Sequence, residues 1–181
     1  MNLPNKLTIF RMILIPFFVV FMKLPIGGGD IHRYIALVIF VVASLTDTLH
    51  GYIARRDNLV TDFWKFMDPL ADKLLVCSAM ICLIDTGQLP SWVVIVIISR
   101  EFIISGFRLI AADNGIVIAA SKWGKLKTIC QMVMIIVLLL HFSGQVAWVI
   151  EQVLIYLALA LTIISLLDYL YKNRSVMSSQ K

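Results

Sequence analysis

The residues best suited to chemistry in this chain are three aspartates, Asp47, Asp68 and Asp72, which stand at the ends of strongly apolar stretches. A carboxylate in apolar surroundings must pair with a cation, ligate a metal or face water. On a helix, residues three, four and seven apart share a face, so Asp68 and Asp72 lie on one stripe. If Asp47, on a preceding helix, faces that stripe, three carboxylates converge, and oxygen ligands in that number select Mg²⁺ or Mn²⁺.

The residues around Asp47 fit a site that accepts a phosphorylated substrate. Gly51 and Ala54 follow it on the same helical face and are small enough to let a substrate approach. Arg55 comes directly after them and can bind a phosphate through its guanidinium group. A simpler interpretation is also open, in which the aspartates cap helix ends or pair with Arg55, Arg56 and Lys73.

The elements that would position these residues are helices long enough to cross a membrane. Of the 181 residues, 60% are hydrophobic and the mean hydropathy is +0.92, above the range of soluble globular chains. A span needs about 20 apolar residues, and six stretches approach that length: 8–23, 35–56, 68–86, 91–112, 124–142 and 147–171. We therefore predict an all-α polytopic membrane protein with six transmembrane helices. Residues 1–172 would form one domain, with a short interfacial segment at residues 2–7 and a polar tail at residues 173–181.

The distribution of cations predicts which side of the membrane each end of a helix faces. With six spans both termini lie on one side, and all Lys and Arg residues except Lys23 and Arg33 fall on that side. Loops rich in Lys and Arg stay cytoplasmic, so we expect cytoplasmic termini and a cytoplasmic acidic cluster. The net charge of +5 favours anionic lipid as a partner. Because the cations flank membrane spans, we do not expect nucleic-acid binding.

The acidic segment resembles the signature of the CDP-alcohol phosphotransferase family, D-x-x-D-G-x-x-A-R, a spacer, then G-x-x-x-D-x-x-x-D. Asp47, Gly51, Ala54, Arg55, Asp68 and Asp72 stand at matching positions. Flanking segments strengthen the resemblance over nearly the whole chain: LPNKLT at residues 3–8 with Arg11, DPLADK at residues 68–73, SREF at residues 99–102 and GKLKT at residues 124–128.

The resemblance implies a six-helix membrane enzyme of the bacterial cytoplasmic (inner) membrane. It would transfer a phosphatidyl group from CDP-diacylglycerol to glycerol 3-phosphate and release CMP. By family role, Asp47, Asp68 and Asp72 would hold two Mg²⁺ or Mn²⁺ ions, and Asp72 would also take the proton of the acceptor hydroxyl. A homodimer is the usual state in the family.

The resemblance also implies a nucleotide site beside the metals. Arg55 would contact the nucleotide, with Gly51 and Ala54 giving it clearance. Weaker candidates for the nucleotide side lie near the start of the chain: Asn5, Thr8 and Arg11.

The acceptor of this reaction carries its own phosphate, which needs a second basic group. Four cations fall at the predicted cytoplasmic ends of the fourth and fifth helices: Arg100, Arg108, Lys125 and Lys127. We expect them to form the acceptor phosphate pocket. The alternative for each is an ordinary positive flank of a membrane helix.

Two residues depart from the signature. His50 stands where the family has its second aspartate, and Trp64 stands where it has the glycine four residues before Asp68. An imidazole is softer than a carboxylate and suits Zn²⁺ better than Mg²⁺. An indole on the stripe of Asp68 and Asp72 would fill the nucleotide cleft, unless it points to lipid as an interfacial anchor. We therefore expect the fold to be kept and transferase activity to be impaired or lost.

Three other functions remain open from the sequence. The chain could be an active synthase that tolerates both changes, or a non-catalytic family member that binds lipid. A transporter or channel that uses intramembrane acids is less consistent with the sequence, because the carboxylates cluster at one face and no broken helices occur in matching halves.

Overall fold

The computed structural model describes the backbone of residues 3–24, 30–56, 62–113 and 121–174, and the side chains of residues 7–24, 30–46, 67, 69–112 and 121–174. These ranges contain six helices and no strand: α1 (Leu3–Lys23), α2 (Ile31–Arg56), α3 (Asp62–Asp85), α4 (Ser91–Asp113), α5 (Lys122–Leu140) and α6 (Gln145–Lys172). The all-helical prediction is confirmed, and each predicted stretch corresponds to one helix.

The first helix begins earlier than the apolar stretch that predicts it. The stretch starts at residue 8, whereas α1 begins at Leu3, so residues 3–7 continue directly into the helix. That residues 2–7 lie at the membrane interface stays a prediction. Pro4 explains why the helix can begin so early. The first N–H groups of a helix have no partner within it, so a proline in the first turn loses no hydrogen bond and presets the helical φ.

The described helices have the apolar surface of a membrane protein. Two of them, α5 and α6, are long and apolar enough to cross a membrane. Exposed apolar residues also follow helical spacing, as Phe10, Ile13 and Phe17 do on α1. A soluble helix would carry polar residues on such an outer face. That all six helices span the membrane stays a prediction.

The chain divides into two compact units. The first comprises Met1–Gln88 with Leu138–His141, and the second comprises Leu89–Val137 with Phe142–Lys181. This division does not test the prediction that residues 1–172 form one domain. The prediction concerns independent folding, whereas the two units are defined by contacts within the chain.

In the first unit, α1 packs against α2 and α3, and α2 also contacts α3. The core is formed by large and small residues that alternate between facing helices. The Phe18 and Phe40 rings lie 6.0 Å apart, while Ala71 and Ala79 of α3 are buried and allow close helix approach. These contacts fix the three helices side by side.

Polar contacts show which helix ends of the first unit lie together. Lys23, the last residue of α1, forms an ion pair with Asp85, the last residue of α3. Arg33, in the first turn of α2, donates to the side-chain oxygen of Gln88, just after α3. The end of α1, the start of α2 and the end of α3 therefore lie together. It follows that the start of α1, the end of α2 and the start of α3 lie at the opposite end of the unit.

In the second unit, α4 packs against α6. Near the carboxyl ends of both helices, the Phe107 ring meets the Tyr169 ring edge to face, with centroids 6.2 Å apart and planes at 88°. The start of α5 is joined to the middle of α4 through an ion pair of Lys127 with Glu101. This ion pair holds the start of α5 against the middle of α4.

Candidate active site

The predicted metal positions lie at one end of the first unit. Asp47 is in the carboxyl-terminal half of α2, and Asp68 and Asp72 are in the amino-terminal half of α3. Because these two halves lie at the same end of the unit, the three positions share that end. The helical spacing on which the prediction depends is also observed, since α2 continues to Arg56 and α3 begins at Asp62.

Several side chains of the predicted site lie outside the described residues, although their backbone belongs to the helices. These are Asn5, Asp47, His50, Gly51, Ala54, Arg55, Trp64 and Asp68. Their convergence on a metal and a nucleotide therefore stays a prediction. Among the side chains that are described, no group of three or more His, Cys, Asp or Glu residues lies close enough to hold a metal ion.

Asp72 is the one predicted metal ligand whose side chain is described. It is half-buried, and it takes part in an electrostatic or hydrogen-bond contact. The buried residues Ala71 and Leu75 beside it anchor this turn of α3 in the core of the first unit. The carboxylate is therefore carried by a fixed backbone and retains access to a ligand.

Two nucleotide-side candidates on α1 are completely buried. Thr8 and Arg11 have 0% exposure, although they lie on one helical turn of an otherwise apolar segment. A guanidinium group stays charged at any relevant pH, so its burial requires compensating acceptors. Arg11 lies in the half of α1 that is at the same end of the unit as the three aspartates, and its role at the nucleotide stays a prediction.

In the second unit, two of the predicted acceptor-site cations meet on one carboxylate. Arg100 Nη1 donates to Glu101 Oε1 at 2.9 Å, and Lys127 Nζ donates to the same oxygen. The residue exposures of Arg100 and Lys127 are only 8% and 2%, and the Glu101 side chain is 18% exposed. Glu101 therefore links α4 to α5 by pairing with two cations at once.

Arg100 has further capacity for an anion. Its Nε is buried and has no hydrogen-bond partner among the described residues. Gly124 lies beside the same guanidinium group, because a Cβ built on this glycine would stand 3.5 Å from Arg100 Nη2. Gly124 therefore packs beside this guanidinium group at a distance that a Cβ would also tolerate.

The other two predicted cations are placed differently. Arg108 is exposed and its guanidinium carbon lies 5.9 Å from the centre of the Tyr169 ring on α6. Lys125 is exposed at the start of α5. The structure therefore joins Arg100 to Lys127 in a buried cluster and leaves Arg108 and Lys125 open to a ligand.

Two residues of this region were not assigned a role from the sequence. Glu101 had a detectable signal, since it is an acidic residue within an apolar helix. Tyr169 had none, because an aromatic residue near a helix end is common in membrane proteins. Its contact with Arg108 depends on how α6 packs against α4.

Comparison with known proteins identifies the family to which the chain belongs. The family model described as CDP-alcohol phosphatidyltransferase matches residues 1–164, which include both the α2–α3 acidic segment and the basic residues of α4 and α5. The chain belongs to the CDP-alcohol phosphatidyltransferase family. The match covers helices α1 to α5 in full and most of α6.

Individual relatives are similar over nearly the whole chain. A CDP-diacylglycerol–glycerol-3-phosphate 3-phosphatidyltransferase of Bacillus subtilis is 42% identical over 183 residues, covering 95% of each chain. The protein of the same name from Haemophilus influenzae is 41% identical, over 93% of this chain and 91% of its own. A probable phosphatidylglycerophosphate synthase of Mycobacterium tuberculosis is 41% identical, over 93% of this chain and 79% of its own.

Proposed function

We propose that this chain is a membrane protein of the phosphatidylglycerophosphate synthase type, whose reaction joins CDP-diacylglycerol to glycerol 3-phosphate with release of CMP. The observation that carries the proposal is the 42% identity to the Bacillus subtilis transferase over 95% of both chains. The acidic positions of the first unit and the basic positions of the second, each taken by itself, support it. The acids would serve the donor's pyrophosphate through metals, and the bases would serve the acceptor's phosphate.

The donor set fits Mg²⁺ or Mn²⁺. Asp47, Asp68 and Asp72 offer carboxylate oxygens, which these hard cations prefer. When bound, the two ions would neutralise the pyrophosphate and stabilise the charge that develops on it. These three aspartates are the residues that would hold them.

Asp72 is the residue we assign to the proton transfer. Its half-buried carboxylate would accept the proton of the acceptor hydroxyl as that oxygen attacks the phosphorus of the phosphatidyl group. The bond from this phosphorus to the CMP oxygen breaks, and CMP leaves with the electron pair. The products are phosphatidylglycerophosphate and CMP.

Other residues would bind the two substrates. Arg55 would contact the nucleotide, with Gly51 and Ala54 beside it. On α1, Asn5, Thr8 and Arg11 would complete the nucleotide side, and the burial of Thr8 and Arg11 favours an indirect, supporting role for them.

We assign the acceptor's phosphate to the basic residues of the second unit. The exposed Arg108 and Lys125 would contact it, and Arg100, whose Nε has no hydrogen-bond partner among the described residues, would offer a further donor. A phosphate dianion would pair with these cations better than a neutral alcohol does. This difference favours glycerol 3-phosphate over serine as the acceptor.

His50 and Trp64 are expected to reduce turnover. His50 removes a hard, negative ligand from the set that would bind the metals. Losing one such interaction costs several kcal/mol of transition-state stabilisation, and each ~1.4 kcal/mol lowers the rate about tenfold. Trp64 is one helical turn before Asp68 on the same stripe, where its indole would fill the nucleotide cleft. We propose that the chain keeps the family fold with impaired or no activity.

The membrane arrangement belongs to the same proposal. All six helices would cross the bacterial cytoplasmic membrane, with both termini and the acidic end of the first unit on the cytoplasmic side. The positive flanks would favour anionic lipid around the protein. A homodimer would follow the usual state of the family.

A second candidate function is a non-catalytic family member that binds lipid, which the two changed signature positions favour. The substitutions His50→Asp and Trp64→Gly, made together, separate the candidates. If the unmodified chain releases no more CMP from CDP-diacylglycerol and glycerol 3-phosphate than its Asp72→Asn variant, and the doubly substituted protein does release CMP, the non-catalytic candidate is supported. Failure of the doubly substituted protein to release CMP with every acceptor counts against that candidate, and CMP release by the unmodified chain counts for an active synthase.

The acceptor is tested in the same membranes with a panel of alcohols. We expect CMP release and a phosphatidylglycerophosphate product with glycerol 3-phosphate, and little release with serine or inositol phosphate. A higher rate with serine would contradict the assignment of the basic residues to an acceptor phosphate.

A further inference from the structure

Tyr169 contributes a buried aromatic face to the region where the acceptor's phosphate would bind. Its residue exposure is 3%, and its ring lies 5.9 Å from the guanidinium carbon of Arg108. The ring is itself fixed, because Phe107 meets it edge to face with centroids 6.2 Å apart. An exposed arginine therefore lies over a ring that is buried and packed against Phe107.

A long arginine side chain at a surface normally samples many rotamers, and ordering it on ligand binding costs free energy. A planar guanidinium group over an aromatic face is attracted by the negative face of the ring. The contact restricts Arg108 before a ligand arrives. The N–H donors of a guanidinium group lie in its plane. A ring that contacts the face of the group therefore leaves these donors available to bind a phosphate.

We propose that Tyr169 is a positioning residue that holds Arg108 in the orientation that binds the acceptor's phosphate. The inference rests on the proposed function, since it needs a phosphorylated acceptor at Arg108. It adds α6 to a site that otherwise draws its residues from α4 and α5. The aromatic ring carries the role, and the hydroxyl group does not.

The hydroxyl group of Tyr169 gives the proposal a sharp control. It is buried and has no hydrogen-bond partner among the described residues. Removing an unsatisfied buried polar atom does not harm a fold. Tyr169→Phe should therefore keep acceptor binding and thermal stability, whereas Tyr169→Leu removes the aromatic face.

A second aromatic pair in the chain serves as a matched control. The Arg174 guanidinium carbon lies 5.4 Å from the centre of the Tyr171 ring, and Tyr171 is 72% exposed. The same kind of contact is present there at a position that we assign no role in binding. Tyr171→Leu should leave acceptor binding unchanged.

The test measures glycerol 3-phosphate binding by calorimetry to the full chain in lipid nanodiscs. We expect Tyr169→Leu to bind about three- to tenfold more weakly than the unmodified chain, as loss of one such contact would give. Tyr169→Phe and Tyr171→Leu should bind as the unmodified chain does. In a background carrying His50→Asp and Trp64→Gly, Tyr169→Leu should raise KM for glycerol 3-phosphate and leave kcat and the KM for CDP-diacylglycerol unchanged.

Each other outcome counts against a distinct claim. Equal binding by Tyr169→Leu and the unmodified chain overturns the positioning role alone, and so does a Tyr169→Phe variant as weak as Tyr169→Leu. An unmodified chain that does not bind glycerol 3-phosphate overturns the proposed acceptor, and the positioning role with it. If Tyr169→Leu does not fold, Phe107→Leu replaces it, because losing the edge contact should weaken binding in the same direction, and unchanged binding there overturns the role.

Discussion

In the proposed site Asp72 would combine two roles, metal ligation and proton transfer, in a single half-buried carboxylate on α3. An amide of the same shape can do neither, because it has no negative charge and cannot accept the proton. In a protein that carries His50→Asp and Trp64→Gly, the further substitution Asp72→Asn should lower kcat at least ~10²-fold. CMP release measures the loss, and Asp85→Asn, at the far end of the same helix, is the control.

A different outcome would reassign the residue. If Asp72→Asn retained most of the turnover of its parent, another group would have to take the acceptor's proton. Unchanged thermal unfolding of the variant would show that any loss of activity comes from the chemistry.

We expect the ion pairs of Glu101 to stabilise the second unit. This residue is the carboxylate shared by Arg100 and Lys127, both of which are nearly inaccessible to solvent. Removing one partner of a buried ion pair leaves uncompensated charge and costs about 3–5 kcal/mol. Glu101→Gln should therefore lower the free energy of unfolding by about that amount, measured by denaturation in detergent.

The exposed ion pair of Lys23 with Asp85 is the matched control for this prediction. Its two side chains are 50% and 49% exposed, so water replaces the lost partner. Asp85→Asn should cause a much smaller loss of stability than Glu101→Gln. Equal losses would contradict the importance of burial at Glu101.

The six helices were predictable from the sequence because each is a long apolar run bounded by turn-forming residues. The region around residues 85–90 shows why: Gly87 has a positive φ of 74°, which ends α3, and Pro90 precedes the start of α4. Helix ends were less predictable. Propensity extended the fifth stretch to residue 142, whereas α5 ends at Leu140 and His141 adopts a positive φ of 47°.

The order of helix ends gives a prediction about topology. The Lys23–Asp85 and Arg33–Gln88 contacts gather one set of ends, which we expect on the extracytoplasmic side. In intact cells, a membrane-impermeant maleimide should label Thr86→Cys and leave Ser175→Cys unlabelled until the cells are opened. The native Cys77, Cys82 and Cys130 are half-buried or buried, so the unmodified chain gives the background.

The reverse labelling pattern would place the acidic end of the first unit outside the cell and would contradict the proposed cytoplasmic site. Labelling of both positions from outside would contradict the prediction that α4, α5 and α6 all cross the membrane, because three spans must place the two positions on opposite sides.

At the scale of the whole molecule, the candidate site was predictable as far as its residues lie in short segments of helix. Asp68 and Asp72 share a stripe by spacing alone, and α3 has the continuous helix that this requires. Glu101 and Tyr169 could not be assigned in this way. Their roles depend on which residues of α5 and α4 they meet, and no spacing within one helix contains that information.

Family membership and activity are separate properties of this molecule. The match over residues 1–164 establishes the family, whereas His50 and Trp64 stand at two positions on which the chemistry would depend. A fold tolerates such changes when they lie at a ligand site, because the helices are held by apolar packing elsewhere. The same chain can therefore keep the family's architecture and lose the family's catalytic activity.

The most direct measurement is CMP release from CDP-diacylglycerol, with glycerol 3-phosphate and Mg²⁺ or Mn²⁺, by four matched proteins. These are the unmodified chain, His50→Asp, Trp64→Gly and the variant with both substitutions. We predict that the doubly substituted protein exceeds the unmodified chain at least ~10²-fold in kcat/KM, with smaller gains for each single change. An unmodified chain as active as the doubly substituted protein would contradict the account.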